Sequence, residues 1–169
     1  MAYAIASADI LAVLPEIVLA LGAMALLMIG VFRKGEPVEL TSSLAIVLLA
    51  VVGVLTIWST PEASVEAFGG SYVNDAFATF MKVLSIFASA ACILLSVQVL
   101  KTGGMMRFEF PVVMLLATLG MMVLISANDL IAVYLGLEMM SLSLYVLAAF
   151  NRDSARSAEA GLKYFVLGA

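Results

Sequence analysis

An all-α, polytopic bundle of transmembrane helices is the fold class that these 169 residues predict, on three observations. The composition is 64% hydrophobic and only 12% charged, with a mean hydropathy of +1.18, whereas soluble domains carry about a quarter charged residues. Apolar runs of about the length that spans a bilayer, roughly 20 residues, recur along the chain with short polar breaks between them. Six of the eight Lys and Arg residues fall on alternate breaks, at Arg33 and Lys34, Lys101 and Arg107, and Arg152 and Arg156, while Glu62, Glu66 and Asp75 share a break that has no base. By the positive-inside rule the basic breaks face the cytoplasm and the N-terminus lies on the other side.

The whole of 1–169 reads as a single membrane domain with spans at about 10–32, 40–58, 77–100, 111–127 and 130–150 and an incomplete run at 157–169. That last run would make about 20 Å of helix against a hydrocarbon layer of about 30 Å, so the expectation is a piece of a longer polypeptide. The first run is too long, and lacks the basic leader and cleavage site, for a removable signal peptide. Near its outer end, Pro15 suits a first helical turn and Glu16 suits the positive helix N-terminus, with a transport role for that acid as the lesser alternative. The second run is uncharged, and Trp58 stands where an interfacial aromatic belongs. In the third, Lys82, Ser85, Ser89, Cys92 and Ser96 recur at helical spacing and form one stripe. Two readings are open: a close contact of small residues with Lys82 snorkelling outward from about 10 Å in, or a working lysine. The fourth run is rich in Met and Leu around Gly120, with Met as flexible filler. The short link at Asn128 and Asp129 then predicts an antiparallel hairpin whose second helix is capped by one of those two side chains.

Cys92 is the only cysteine and histidine is absent, so no disulfide, thiolate metal site or iron-sulfur cluster can be built from this chain. There is no phosphate loop, dinucleotide fingerprint or nucleophile and base pair, and Gly103-Gly104 reads as a flexible turn. The chemistry therefore falls on ionisable groups inside the apolar runs. A charge at a helix centre costs about 2.5 to 3.5 kcal/mol on insertion scales, so such a group needs a partner or a wet cavity. Glu138 lies nine residues after Asp129, about 14 Å along the fifth helix, and Lys163 lies nine after Ser154, also about 14 Å in from the opposite surface. Tyr134, Glu138, Ser141 and Tyr145 share a face, giving the carboxylate hydroxyls that can donate to it. Desolvation raises the proton affinity of a carboxylate and a nearby ammonium lowers it, so a lysine that moves makes a switch. Glu159, four residues before Lys163, offers that lysine a second partner. The competing reading is a static pair that only docks two helices.

NDLIAVYLGLEMMSLSLYVLAAF and SAEAGLKYFVLGA together resemble the subunit N family of proton-pumping NADH:quinone oxidoreductase, respiratory complex I, the counterpart of mitochondrial NADH dehydrogenase subunit 2. The resemblance implies an antiporter-like subunit fold, represented here by its first six helices, in the membrane arm of a bacterial inner-membrane complex. It implies Glu138 as a key proton-transfer residue with Lys163 in the same network; Glu159, Tyr134, Ser141, Tyr145 and Lys82 are the candidates for proton-path support that the residue chemistry offers. It also implies no cofactor in this chain, with NADH, FMN, iron-sulfur clusters and quinone handled elsewhere in the complex. The partners implied are other membrane-arm subunits, neighbouring antiporter-like subunits among them, and membrane lipids, with no nucleic acid. A subunit of a sodium/proton antiporter complex resembles the same fold, and a non-transporting membrane scaffold is the third expectation.

Overall fold

The computed structural model describes residues 7–33, 38–61, 63–105 and 107–168; Lys34 and Glu62 lie outside them. In chain order the elements are α1 (Ser7–Ala12), α2 (Leu14–Phe32), α3 (Val38–Trp58), β1 (Val65–Ala67), β2 (Tyr72–Asn74), α4 (Ala76–Thr102), α5 (Glu109–Ser126), α6 (Leu130–Ala148) and α7 (Ala155–Gly168). Five of these, α2 to α6, are long and apolar enough to cross a membrane.

The first apolar run does not make one helix from Ile10. Val13, with φ −104° and ψ 9°, separates α1 from α2. Pro15 has no N–H to return to the preceding turn, so the first helix stops and α2 starts afresh with Pro15 in its first turn. The third run extends to Thr102 and ends in a Schellman stop: Met105 N–H donates to the Leu100 carbonyl (3.0 Å) and Gly104 N–H to that of Lys101 (3.4 Å). Gly104 supplies the left-handed residue, φ +64°, that this ending requires. The diglycine is thus a helix terminator with a fixed shape.

α5 is the central helix, packed on α2, α3, α4 and α6. The core joins Leu19, Ala23 and Leu26 of α2, Ala45, Leu49 and Val52 of α3, Ile86 and Ile93 of α4, and Leu115, Leu119 and Met122 of α5. Met122 is fully buried, in the filler role expected of it. The hairpin of α5 and α6 forms as the short link predicts. Asp129 caps α6 by accepting from Ala132 N–H at 2.7 Å. The two helices meet backbone to backbone: a Cβ on Gly120 would stand 2.5 Å from Met140 N, and one on Gly136 2.8 Å from Leu124 N. No side chain fits either place.

Between the second and third spans the chain makes a β-hairpin that hydropathy gave no sign of. β1 and β2 pair antiparallel in the register Val65 with Asn74, Glu66 with Val73 and Ala67 with Tyr72. The hairpin is fastened to the α5–α6 turn by a bridge between Tyr72 and Ala127, by Asn128 N–H to the Ser71 carbonyl (2.9 Å) and by Asn128 Nδ2 to the Gly70 carbonyl (2.7 Å). It closes the end of the bundle that carries Asp75 and Asp129, called the acidic end below. The opposite, basic end is laced at the surface, Lys101 to Glu39 at 2.9 Å and Arg152 to Glu109 at 3.9 Å. Exposed pairs of that kind contribute at most about 1 kcal/mol each.

Candidate functional site

α2 and α4 run parallel from the acidic end, which sets Glu16 in the first turn of one beside Lys82 in the second turn of the other. A helical side chain leans toward its own N-terminus, so the long lysine stem carries Nζ back up to the level of the acid. Lys82 Nζ lies 2.7 Å from Glu16 Oε1, with the two residues only 2% and 3% exposed. β2 delivers a third member. Tyr72 Oη accepts from Lys82 Nζ at 2.7 Å, donates to Glu16 Oε1 at 2.8 Å, and stands 3.3 Å from the Ala12 carbonyl. The ammonium also lies 4.8 Å from the centre of the Tyr72 ring. Burial first, and then the Glu16 carboxylate, push the Tyr72 hydroxyl far above the usual phenol range, so it stays protonated.

The triad is incompletely satisfied. Among the described residues Glu16 Oε2, Thr79 Oγ1 and Ser126 Oγ are buried without a hydrogen-bond partner. Ser126 stands beside Tyr72 and its hydroxyl favours the ionised phenol slightly, without closing a hydrogen bond. Thr79 is one turn before Lys82 on the same buried face of α4. Deeper along that face Ser89 and Thr118 share a hydrogen bond of 2.7 Å across the α4–α5 interface.

These positions revise the expectations for the third span. Lys82 does not snorkel, because Glu16 and Tyr72 hold its head inside the bundle. Ser89 joins the contact with α5, Ser85 is half-buried and donates to the Met81 carbonyl (2.9 Å), and Cys92 is exposed, off the stripe.

Glu138 and Lys163 do not form an ion pair; the buried carboxylate and ammonium pair among the described residues is Glu16 with Lys82. Lys163 pairs instead with Glu159, one turn back on its own helix at 2.6 Å, and is 69% exposed. The cause is register as well as rotation: the contacts between the two helices set Lys163 level with the last turn of α6, roughly 13 Å along its axis from Glu138. α7 meets α6 through Gly161, set against Ala149, and through Phe165, edge-on to the Tyr145 ring at 5.7 Å. Lys163, two residues after Gly161, is turned about 200° from that contact. Glu138 is likewise two residues from both Gly136 and Met140, the points where α6 touches α5, so it is turned away from α5. It is half-buried and has no ion pair or hydrogen bond among the described residues. Of its expected companions, Tyr134 is exposed, Ser141 is half-buried, and Tyr145 is buried beneath Tyr164 and Phe165. None of their hydroxyls reaches Glu138.

The helix N-terminus alone does not account for Glu16, which is held by Lys82 and by Tyr72, a residue that the sequence reading does not single out. A usable signal did exist: an acid and a base inside two apolar runs that must be parallel, both close to the same surface. Tyr72 left none, since three-residue strands in a loop have no readable period.

The family model described as NADH:quinone oxidoreductase/Mrp antiporter, transmembrane, matches residues 127–169. The chain is 56% identical over 161 residues to NADH-quinone oxidoreductase subunit N of Parvibaculum lavamentivorans, covering 95% of this chain and 33% of that protein. It is 53% identical over 156 residues to subunit N 1 of Rhizobium meliloti, covering 92% and 32%. The chain thus spans about a third of the length of the curated relatives it matches. Among solved structures it is similar to a chain of respiratory complex I from Thermus thermophilus with bound aureothin, with a TM-score of 0.72 and 27% identity over 90% of this chain and 32% of that one.

Proposed function

Because the chain belongs to the family of NADH-quinone oxidoreductase N subunits, we propose that it forms part of a proton half-channel in the membrane arm of that complex, with Glu138 as its proton carrier. The observation that carries this reading is a lone carboxylate midway along a membrane-crossing helix, inside the stretch that matches the family model. An acid in that position is a functional group by default, since hydrocarbon gives it no stabilisation. Half-buried, it keeps one side toward the protein and one toward a further wall of the channel. Lys163, paired with Glu159 on the face of α7 turned away from α6, belongs to the same network without pairing directly with Glu138. Tyr134 and Ser141 stand one turn to either side, where water can link them to the carboxylate.

In this reading the N-terminus is periplasmic, the basic end faces the cytoplasm, and the membrane is the bacterial inner membrane. NADH, FMN, iron-sulfur clusters and quinone belong to other parts of the complex, and this chain contributes proton transfer alone. Its neighbours are the other membrane-arm subunits, antiporter-like ones included, and lipid. A sodium/proton antiporter subunit fits the family model equally well, but the relatives described above are N subunits.

Glu138→Gln in the intact complex tests the proposal. The complex should assemble, and proton pumping driven by NADH oxidation should fall by about an order of magnitude or more. Full pumping in an assembled E138Q complex would leave the scaffold reading in its place.

A further inference from the structure

A buried ion pair whose only task is to dock two helices is stable when its remaining lone pairs and N–H groups are satisfied. The pair at the acidic end is not so arranged. Glu16 Oε2 accepts nothing, the ammonium of Lys82 uses two of its three N–H groups on Tyr72 and Glu16, and the Thr79 and Ser126 hydroxyls beside it are also unpartnered among the described residues. Each of these three oxygen-bearing residues is more than nine-tenths buried. Such a set of donors and acceptors, all inside the protein, is what a bound water or hydrated proton requires.

We propose that Glu16, Tyr72 and Lys82 form a second proton-transfer site, a relay at the acidic end of the bundle that takes a hydrated proton through Glu16 Oε2, Thr79 and Ser126. The triangle of short contacts defines the transfer. A hydronium gives its proton to the Glu16 carboxylate and leaves as water, which removes the negative partner of Lys82. The ammonium, no longer stabilised, passes one proton on to water on its inner side, toward Ser89 and Thr118, and becomes a neutral amine. Tyr72 then gives its hydroxyl proton to that amine while taking the proton from Glu16, and so restores carboxylate, phenol and ammonium. One proton has entered at Glu16 and one has left from Lys82, and no bond other than those to hydrogen has changed. Run backward, the same steps release a proton to the acidic end. Tyr72 suits this office because it stays protonated and touches both partners, at 2.7 and 2.8 Å. The relay rests on the proton-channel reading but uses none of the residues assigned there.

The test uses the whole complex in membrane vesicles, measuring NADH oxidation and proton pumping together. E16Q/K82M removes both charges at once, so a merely structural pair predicts assembly with normal pumping. The relay predicts assembly with pumping lowered about tenfold. Y72F keeps the ion pair and deletes only the bridging hydroxyl; the relay predicts a similar loss. Normal pumping in either assembled variant overturns the proposal, and Y72F decides alone if the double variant does not assemble. E138Q serves as the parallel control: if its pumping is lost while Y72F and E16Q/K82M pump normally, the relay fails and the channel reading stands.

Discussion

Removing Lys82 alone leaves the Glu16 carboxylate buried with no counter-charge, the costly way to break such a pair. Lys82→Met should therefore lower stability by about 3–5 kcal/mol, read as a drop in thermal midpoint in detergent, whereas E16Q/K82M should recover most of that loss. Asp129 makes a different kind of prediction. The Ser71 hydroxyl first, and then Ala132 N–H, hold its carboxyl below the usual carboxylate range. The ionised cap binds fewer protons than the unfolded chain, so its contribution is complete above the ordinary carboxylate range and is lost as pH falls through the lowered value. Amide exchange at Ala132 should accelerate on acidification, and Asp129→Ala should remove that pH dependence. A cap from Asn128 or Asp129 was readable from residue type and position, and the structure decides for Asp129. For Glu16 and Lys82 the sequence offered only nearness to the same surface on two parallel runs; the contact itself depends on a lysine stem that reaches across helices to a place that spacing along one chain cannot specify.

At the scale of elements, the hairpin of α5 and α6 is the most closely fitted part of the fold. Gly120 lies against Met140 N and Gly136 against Leu124, so an added side chain meets backbone, which cannot swing aside. Gly120→Val should cost about 1–3 kcal/mol and move α6 away from α5, taking Glu138 with it. A lowered thermal midpoint together with altered pumping in the assembled complex would show both effects. The link at Asn128 and Asp129 announced this hairpin. It gave no hint that the same link also receives the β-hairpin, through Asn128 and the bridge of Ala127 to Tyr72. Backbone hydrogen bonds of that sort depend on no side-chain pattern, and so leave no periodic trace.

At the scale of the whole molecule, the placement of charge sets how the bundle should sit in a membrane. With Cys92 replaced by Ser, a cysteine at Ser64 should react with an impermeant thiol reagent from the periplasmic side, and one at Thr102 only after the membrane is opened; the reverse pattern would invert the bundle. The membrane class, the apolar runs and the alternation of basic breaks followed from the amino-acid order, since hydropathy is a property of one chain read in one dimension. Which acid meets which base did not follow. Glu138 and Lys163 are set apart along α6 by the register of Gly161 against Ala149 and Phe165 against Tyr145, and turned apart by the faces that Gly136, Met140 and Gly161 bury, while Glu16 and Lys82 are joined because two parallel helices and a strand converge at the acidic end. Counting residues places a group along its own helix, but the register and rotation of one helix against the next are fixed by packing, and only the tertiary structure decides them.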